Sequence, residues 1–477
     1  MLYRMLSQPK VILLAALSAC PLLFAADKFE VDWKQQEAEI FEHYSSLIKL
    51  DTSNPPGNET LAANYLKGVL EKAGIPAKVY EKEPGRGNVV ARLKGNGTKK
   101  PLLLMGHLDV VGVQREKWTV DPFAAIRKDG FVYGRGSIDD KDKVTSALMV
   151  MLLLKRMNVP LDRDVIFLGE AGEEGSSGAG IGFMVQQHWP EIEAEYAITE
   201  GGTTGSRDGK VRYVQIGTTE KVPRGVKLIS TGTSGHASRP RTDNPVLHLA
   251  QAVSNVASQQ PPMRLNDTTR AYFERLATIS SPEEADRYNH LTDPQRAPAI
   301  EAWLAEHNPT EYSMLRTSIA PTIIKAGFRS NVVPSEAEAT LDIRALPDED
   351  MPKFYAYLDK LIHDPQVKVV PNGAGGGGRE PGKPSRFDTE LFHSFEAATK
   401  TMFPGAITLP TMGTGATDNS QLRAKGVQAY GFGPILDEKD AAGGGAHADD
   451  EHLRESSLYK EVEFLWRSVA PVVASKQ

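Results

Sequence analysis

The feature that most constrains this chain is a set of short apolar runs, each passing straight into a polar cluster. Pro101 to Met105 leads into Gly106-His107-Leu108-Asp109, Val165 to Leu168 into Glu170-Ala171-Gly172-Glu173-Glu174, and Tyr196 to Thr199 into Glu200-Gly201-Gly202. Runs this short suit strands, and they alternate with stretches of helical apolar spacing such as Lys141 to Met157. The alternation predicts an α/β sheet with helices on its faces. In such sheets ligands bind beyond the strand ends, where the polar clusters fall. Residues 33 to 49 and 59 to 74 read as two opening helices, split by the breaker Thr52-Ser53-Asn54-Pro55-Pro56-Gly57-Asn58.

At 477 residues the chain exceeds what one core usually organises, so two domains are expected. The texture changes near Val222. Strand-like Val226 to Thr231, a helix from Pro245 to Ser258, a polar insertion, strands near Thr322 to Ala326 and Ala337 to Arg344, a helix from Met351 to His363 and a strand from Gln366 to Val370 read as an inserted α+β unit. The run Gly373 to Gly378 reads as a flexible connection back; no Lys-Ser/Thr follows it, as a phosphate cradle would require. The expected partition is a signal peptide at 1–26, a catalytic domain at 27–219 and 380–477, and a lid at 220–379.

Arg4 and Lys10 precede the apolar run Val11 to Ala19, and Leu23-Phe24-Ala25-Ala26 offers a small-residue cleavage site, so export to the periplasm or medium is expected. Leu17-Ser18-Ala19-Cys20 also resembles a lipoprotein box, which leaves anchoring at Cys20 open. Cys20 is the only cysteine, so no intramolecular disulfide and no thiolate metal site can form. No mature transmembrane span is found. The net charge of -6 and the lack of any basic stripe exclude the electrostatic footprint of a nucleic-acid binder and point to a small peptide or other small-molecule substrate.

Each cluster has an ordinary reading beside a chemical one. His107 and Asp109, two apart at a strand end, share a face; Asp109 then fixes the tautomer of a ligating imidazole, or the two form a surface pair. Asp139 and Asp140, after the Gly-rich turn Tyr133-Gly134-Arg135-Gly136-Ser137, sit where acids cap helices, although capping does not need both. Adjacent Glu173 and Glu174 repel unless a cation or a functional proton is present. His447, in Gly443-Gly444-Gly445-Ala446-His447-Ala448-Asp449-Asp450-Glu451, reads equally as a ligand or an exposed loop histidine. Together His107, Asp139, Glu174, Glu200 and His447 form a nitrogen and oxygen donor set suited to two divalent, zinc-like ions, with one carboxylate bridging.

These ordered motifs resemble the M20 metallopeptidase family, which includes glutamate carboxypeptidase, succinyl-diaminopimelate desuccinylase, acetylornithine deacetylase and carnosine dipeptidases. The resemblance runs from Asp51-Thr52-Ser53-Asn54-Pro55-Pro56-Gly57 to Glu451. It implies a zinc-peptidase-like catalytic domain with a mixed sheet and an inserted α+β lid and dimerisation domain, hence a candidate homodimer. It implies two Zn2+ ions, with Co2+ or Mn2+ as alternatives: His107 and Glu200 on one, Glu174 and His447 on the other, Asp139 between them. Glu173 would be the general base, and the peptide bond after Asp139 would be cis. His236, in Ser234-Gly235-His236-Ala237-Ser238, matches the lid histidine, and Asn331 and Arg344 match the region that holds the substrate carboxylate; a structural salt bridge is the other reading of Arg344. Asp142 departs from the family, where many members carry Gly. The long insertion, about Arg264 to Ser318, and the export signal resemble the branch of yeast vacuolar carboxypeptidase S and secreted N-acyl-amino-acid hydrolases.

The expected activity is amide or peptide hydrolysis next to a free carboxylate, as in a carboxypeptidase, dipeptidase or N-acyl-amino-acid amidohydrolase. Two rivals share the ligand chemistry: an M28-type aminopeptidase, which would not need the long lid with Gly235-His236, and a non-catalytic binding protein, in which a ligand or the base should be replaced.

Overall fold

The computed structural model describes residues 29–175, 178–371, 381–436 and 445–475. The expected signal segment with Cys20 and the run Gly373 to Gly378 lie outside them.

Nine strands form the larger sheet. At its centre Gln428–Gly431, Tyr196–Thr199, Leu102–His107 and Val165–Glu170 lie parallel in that order. Leu102–His107 and Val165–Glu170 are buried at every position, as parallel strands covered on both faces must be, which is why they read as unbroken apolar runs. Successive side chains enter different cores. Leu102, Leu104, Val165 and Phe167 face one, while Leu103, Met105, Ile166 and Leu168 face the other. Gly87–Leu93 and Ala77–Glu81 continue the sheet antiparallel on one side. Lys210–Glu220 continues it on the other, flanked by Thr204–Arg207 and Ile407–Gly413.

The helix Lys141–Arg156 is buried from Lys141 to Leu154: its first turns bury Lys141, Asp142 and Lys143, and from Ala147 to Leu154 it is apolar all round rather than in a stripe. It packs between the sheet and the C-terminal helix Glu455–Val473. The sheet can approach it closely because Gly106 has no side chain: a Cβ there would lie 2.8 Å from both Val144 Cγ2 and Asp140 Oδ2. This contact sets the start of the helix against the end of the central strand.

The second sheet has five antiparallel strands, with Glu336–Ala345 between Ser318–Ala326 on one side and Val226–Thr231, preceded in the same register by Val222–Pro223, on the other. Helices Pro245–Ala257 and Met351–Ile362 cover one face through Leu249, Val256, Phe354 and Leu358. A two-residue ribbon sets Gly235–His236 against Val332–Val333. The stretch read as a polar insertion folds into four helices, Asp267–Ala277, Pro282–Asn289, Ala297–His307 and Pro309–Met314. Its apolar side, Tyr272, Phe273, Ile300 and Leu304, joins Leu409 and Met412 of the larger sheet. The insertion therefore braces the catalytic sheet rather than extending the lid sheet.

Candidate metal centre

All four central parallel strands end on the same side, and the polar clusters gather there. His107 is the last residue of its strand, Glu173 and Glu174 follow Val165–Glu170, and Glu200 follows Tyr196–Thr199. Asp139 stands just before the helix Lys141–Arg156, and His447 arrives from the C-terminal loop. His107 Nε2 lies 2.8 Å from Asp139 Oδ1, and His447 Nε2 lies 3.2 Å from Asp139 Oδ2 and 2.7 Å from Glu174 Oε1. Ligand atoms of His107, Asp139 and Glu174 fall within 4.8 Å of one another, as do those of His107, Glu173 and Glu200. The structure thus brings together all five residues expected as ligands, with Glu173 beside them. The Asp139–Asp140 peptide bond is cis.

The imidazoles are held differently. His107 is 2% exposed, and its Nδ1 meets the main-chain oxygen of Asp109 at 3.0 Å and the Asp109 carboxylate at 3.4 Å. A proton on Nδ1 leaves Nε2 as the lone-pair nitrogen toward Asp139. Asp109 also accepts the main-chain N–H groups of Glu173 and Glu174, each at 3.1 Å, and the Asn54 amide at 2.8 Å. One buried carboxylate therefore orients an imidazole and the backbone carrying Glu173 and Glu174. His447, half exposed, sits at the rim in the left-handed backbone region, φ 65°.

Several supporting residues had no legible role in the sequence. Asp140 makes no side-chain cap; its Oδ2 accepts the His107 main-chain N–H at 3.1 Å. Glu451 forms a fully buried pair with Arg135 at 2.5 Å and accepts the Ile138 N–H at 2.8 Å. This clamps the turn that carries Asp139 to the segment that carries His447. Glu170 is buried in hydrogen-bonding contact with Asp418, and Asn419 donates to the main-chain oxygen of Glu200. The acids were visible in the motifs, but their partners lie tens to hundreds of residues away.

The electrostatics show what the pocket wants. Burial works against an ionised Asp139, and the two imidazoles outweigh it, holding the carboxyl below its usual range. Hydrogen bonds to Asp139 and Glu174 push His447 up to about 10, and His107 is raised in the same way by Asp109 and Asp139 against its burial. Burial lifts Asp140 to about 8 and raises Glu200, which also feels Glu173, Asp139 and Asp140. Crowded buried acids whose imidazoles are driven to hold protons form a pocket that demands positive charge. Nitrogen and oxygen donors without sulfur fit zinc-like divalent cations, and the two oxygens of Asp139 facing different imidazoles fit a bridging carboxylate.

The lid residues stand apart in their bonding. His236 is exposed, with Nδ1 taking the Ser238 main-chain N–H at 3.1 Å, and Asn331 lies next to it across the ribbon, its carbonyl accepting the Ala237 N–H. Arg344 is partly exposed and paired with Asp342 at 2.9 Å. The salt-bridge reading of Arg344 is what the structure holds.

Residues 103–470 match the family described as Peptidase family M20/M25/M40. The chain belongs to this family. It is an M20-type metallopeptidase or amidohydrolase, and membership sets aside the M28 reading. It is 28% identical over 378 residues to the human N-fatty-acyl-amino acid synthase/hydrolase PM20D1, covering 78% of this chain and 74% of that one. Identity is also 28% over 383 residues to a probable carboxypeptidase S-like 2 of Dictyostelium discoideum, covering 78% and 71%. The M20 family metallo-carboxypeptidase Sso-CP2 of Sulfolobus solfataricus shares the fold, with a TM-score of 0.68 at 20% identity over 91% of this chain and 99% of that one.

Proposed function

We propose that this M20 hydrolase is an exported di-zinc enzyme that cleaves the amide bond of N-acyl amino acids, or the last peptide bond of small peptides, beside a free carboxylate. The observation that carries the reading is Asp139, whose two oxygens face His107 and His447 while Glu174 and Glu200 close the set. The similar N-fatty-acyl-amino acid synthase/hydrolase and probable carboxypeptidase S-like 2 support the substrate class. Basic residues before an apolar run at the N-terminus support export, and among the described residues no helix is long and apolar enough to cross a membrane.

In the proposed mechanism His107 and Glu200 would hold one ion and Glu174 and His447 the other, with Asp139 shared between them. When bound, such a pair acidifies water and polarises a carbonyl oxygen. Glu173 takes the proton from the attacking water and returns it to the leaving nitrogen. His236 donates a hydrogen bond to the carbonyl oxygen as negative charge develops there. Asn331 and Arg344 receive the substrate carboxylate, for which Arg344 exchanges Asp342.

The test is a screen of the zinc-loaded mature protein against N-acyl amino acids of varied acyl length, dipeptides, and the same compounds with the carboxylate amidated. Turnover confined to free carboxylates is expected. Equal turnover of the amidated set would overturn the assignment.

The lid supports a homodimer. Ser318–Ala326 pairs with Glu336–Ala345 as an edge strand, and every residue from Ala320 to Asn331 is exposed, including Ile324 at 60% and Phe328 at 80%. An edge strand that keeps apolar side chains and carries a single lysine is poorly protected against pairing.

A further inference from the structure

Glu200 follows its strand at a place where the sheet no longer holds it. The last rung between Tyr196–Thr199 and Gln428–Gly431 joins Thr199 to Gly431, so the Glu200 carbonyl lies one residue beyond the ladder. Gly201 and Gly202 follow at φ 104° and 95°, where glycine gives the chain its greatest freedom. Gly431 lets the backbone pass close: a Cβ there would come within 2.5 Å of the Glu200 oxygen. A side chain supplies the missing restraint. Asn419 Nδ2 donates to the Glu200 oxygen at 3.2 Å, joined by the neighbouring Thr199 hydroxyl at 3.2 Å.

Asn419 is itself fixed. It is 1% exposed, and Nδ2 also donates to Thr417 Oγ1 at 3.0 Å, so both amide hydrogens are used and the amide cannot flip without losing them. The Thr417 hydroxyl in turn donates to Glu220 Oε2 at 2.7 Å, and the Thr417 N–H to Glu220 Oε1 at 3.0 Å. Arg423, buried, holds the same carboxylate at 3.2 Å. Glu220 is the last residue of the strand Lys210–Glu220, two residues before the chain enters the lid sheet at Val222. The hydrogen bonds therefore run unbroken from the root of the lid to the backbone of Glu200.

We propose that Asn419 is a positioning residue for Glu200, and so for the ion that Glu200 and His107 hold, and that Thr417 and Glu220 set its orientation from the root of the lid. This rests on the two-metal reading given above. Asn419 touches no reacting atom; it acts by fixing the backbone from which a ligand projects, and loss of such outer partners typically weakens a metal about 10- to 100-fold.

The experiment is a stepwise titration of metal-free protein with Co2+, followed by visible d–d absorption and by metal content after gel filtration. Wild type should take up two ions. Asn419→Leu, which keeps bulk but donates nothing, should bind one ion as before and the other about 10- to 100-fold more weakly. Thr417→Val should shift the same step in the same direction by less, and it decides the matter if Asn419→Leu does not fold. His447→Ala marks the other step by removing it. Two-ion binding with both steps unchanged in the folded variants, or both steps weakened alike, would overturn the inference while leaving the two-metal reading standing. A wild type that took up no Co2+ would overturn both.

Discussion

Asp109 illustrates how little of a metal site resides in its ligands. Buried, ringed by His107, Asn54 and the N–H groups of Glu173 and Glu174, it orients one imidazole and the backbone of two adjacent acids at once. In the proposed mechanism the neighbouring acids Glu173 and Glu174 divide two tasks, and substitution separates them. Glu173→Ala should reduce turnover by about 10²- to 10⁴-fold with bound zinc unchanged, whereas His447→Ala should lose zinc; atomic absorption beside a rate assay reads both. If Glu173→Ala emptied the site, base and ligand would have to be reassigned. Glu451 should behave as neither. Glu451→Ala strands Arg135 in a buried position and should cost roughly 3 to 5 kcal/mol in urea unfolding, as breaking buried pairs does.

At the scale of elements, the sequence was most legible where a strand is buried on both faces. Val165 to Leu168 and Pro101 to Met105 had to be apolar throughout, so the chemistry at their ends stood out against them. It was least legible where a role depends on a distant partner: Asp140 reads as a helix cap and serves the backbone of His107, and Glu451 finds Arg135 316 positions away. The insertion read as polar because its helices are short: Pro282–Asn289 buries no residue, and Ala297–His307 and Pro309–Met314 bury two each. Within it Glu311 is nearly buried beneath the hydroxyls of Tyr272 and Tyr288, and burial raises its carboxyl to about 7. A folded-state value above the unfolded one means the acid is protonated more readily when folded. Its favourable contribution is complete below the unfolded value near 4.5 and disappears as pH rises through about 7. Wild type should therefore lose stability from pH 5 to 8 relative to Glu311→Gln, by about 3 kcal/mol at most; parallel melting curves for the two proteins would count against it.

At the scale of the whole molecule, the lid carries the unfinished business of the site. His236, Asn331 and Arg344 form their bonds within the lid, while the metal donors are bound together beneath the strand ends. The lid edge that runs from Ala320 to Asn331 leads straight to Asn331 and the ribbon bearing His236, so pairing with a second copy would also fix the setting of these residues. Light scattering should give a dimer for the wild type, and Ile324→Glu should give a monomer with its metal content intact. A monomeric wild type would remove the interface. The motifs around His107 and Glu173 could be read from one chain because they are local; a surface that works through a second copy leaves only exposed apolar side chains to betray it.

The five proposed metal donors span the chain from His107 to His447, and the segment that carries the last of them is tied down by the pair between Glu451 and Arg135. A ribosome finishes four donors long before it reaches the fifth. A half-made chain can offer no closed pocket, and on the proposed export route the chain would not fold until it had crossed. The metal would then be chosen by the compartment in which folding ends, not by the one in which synthesis begins.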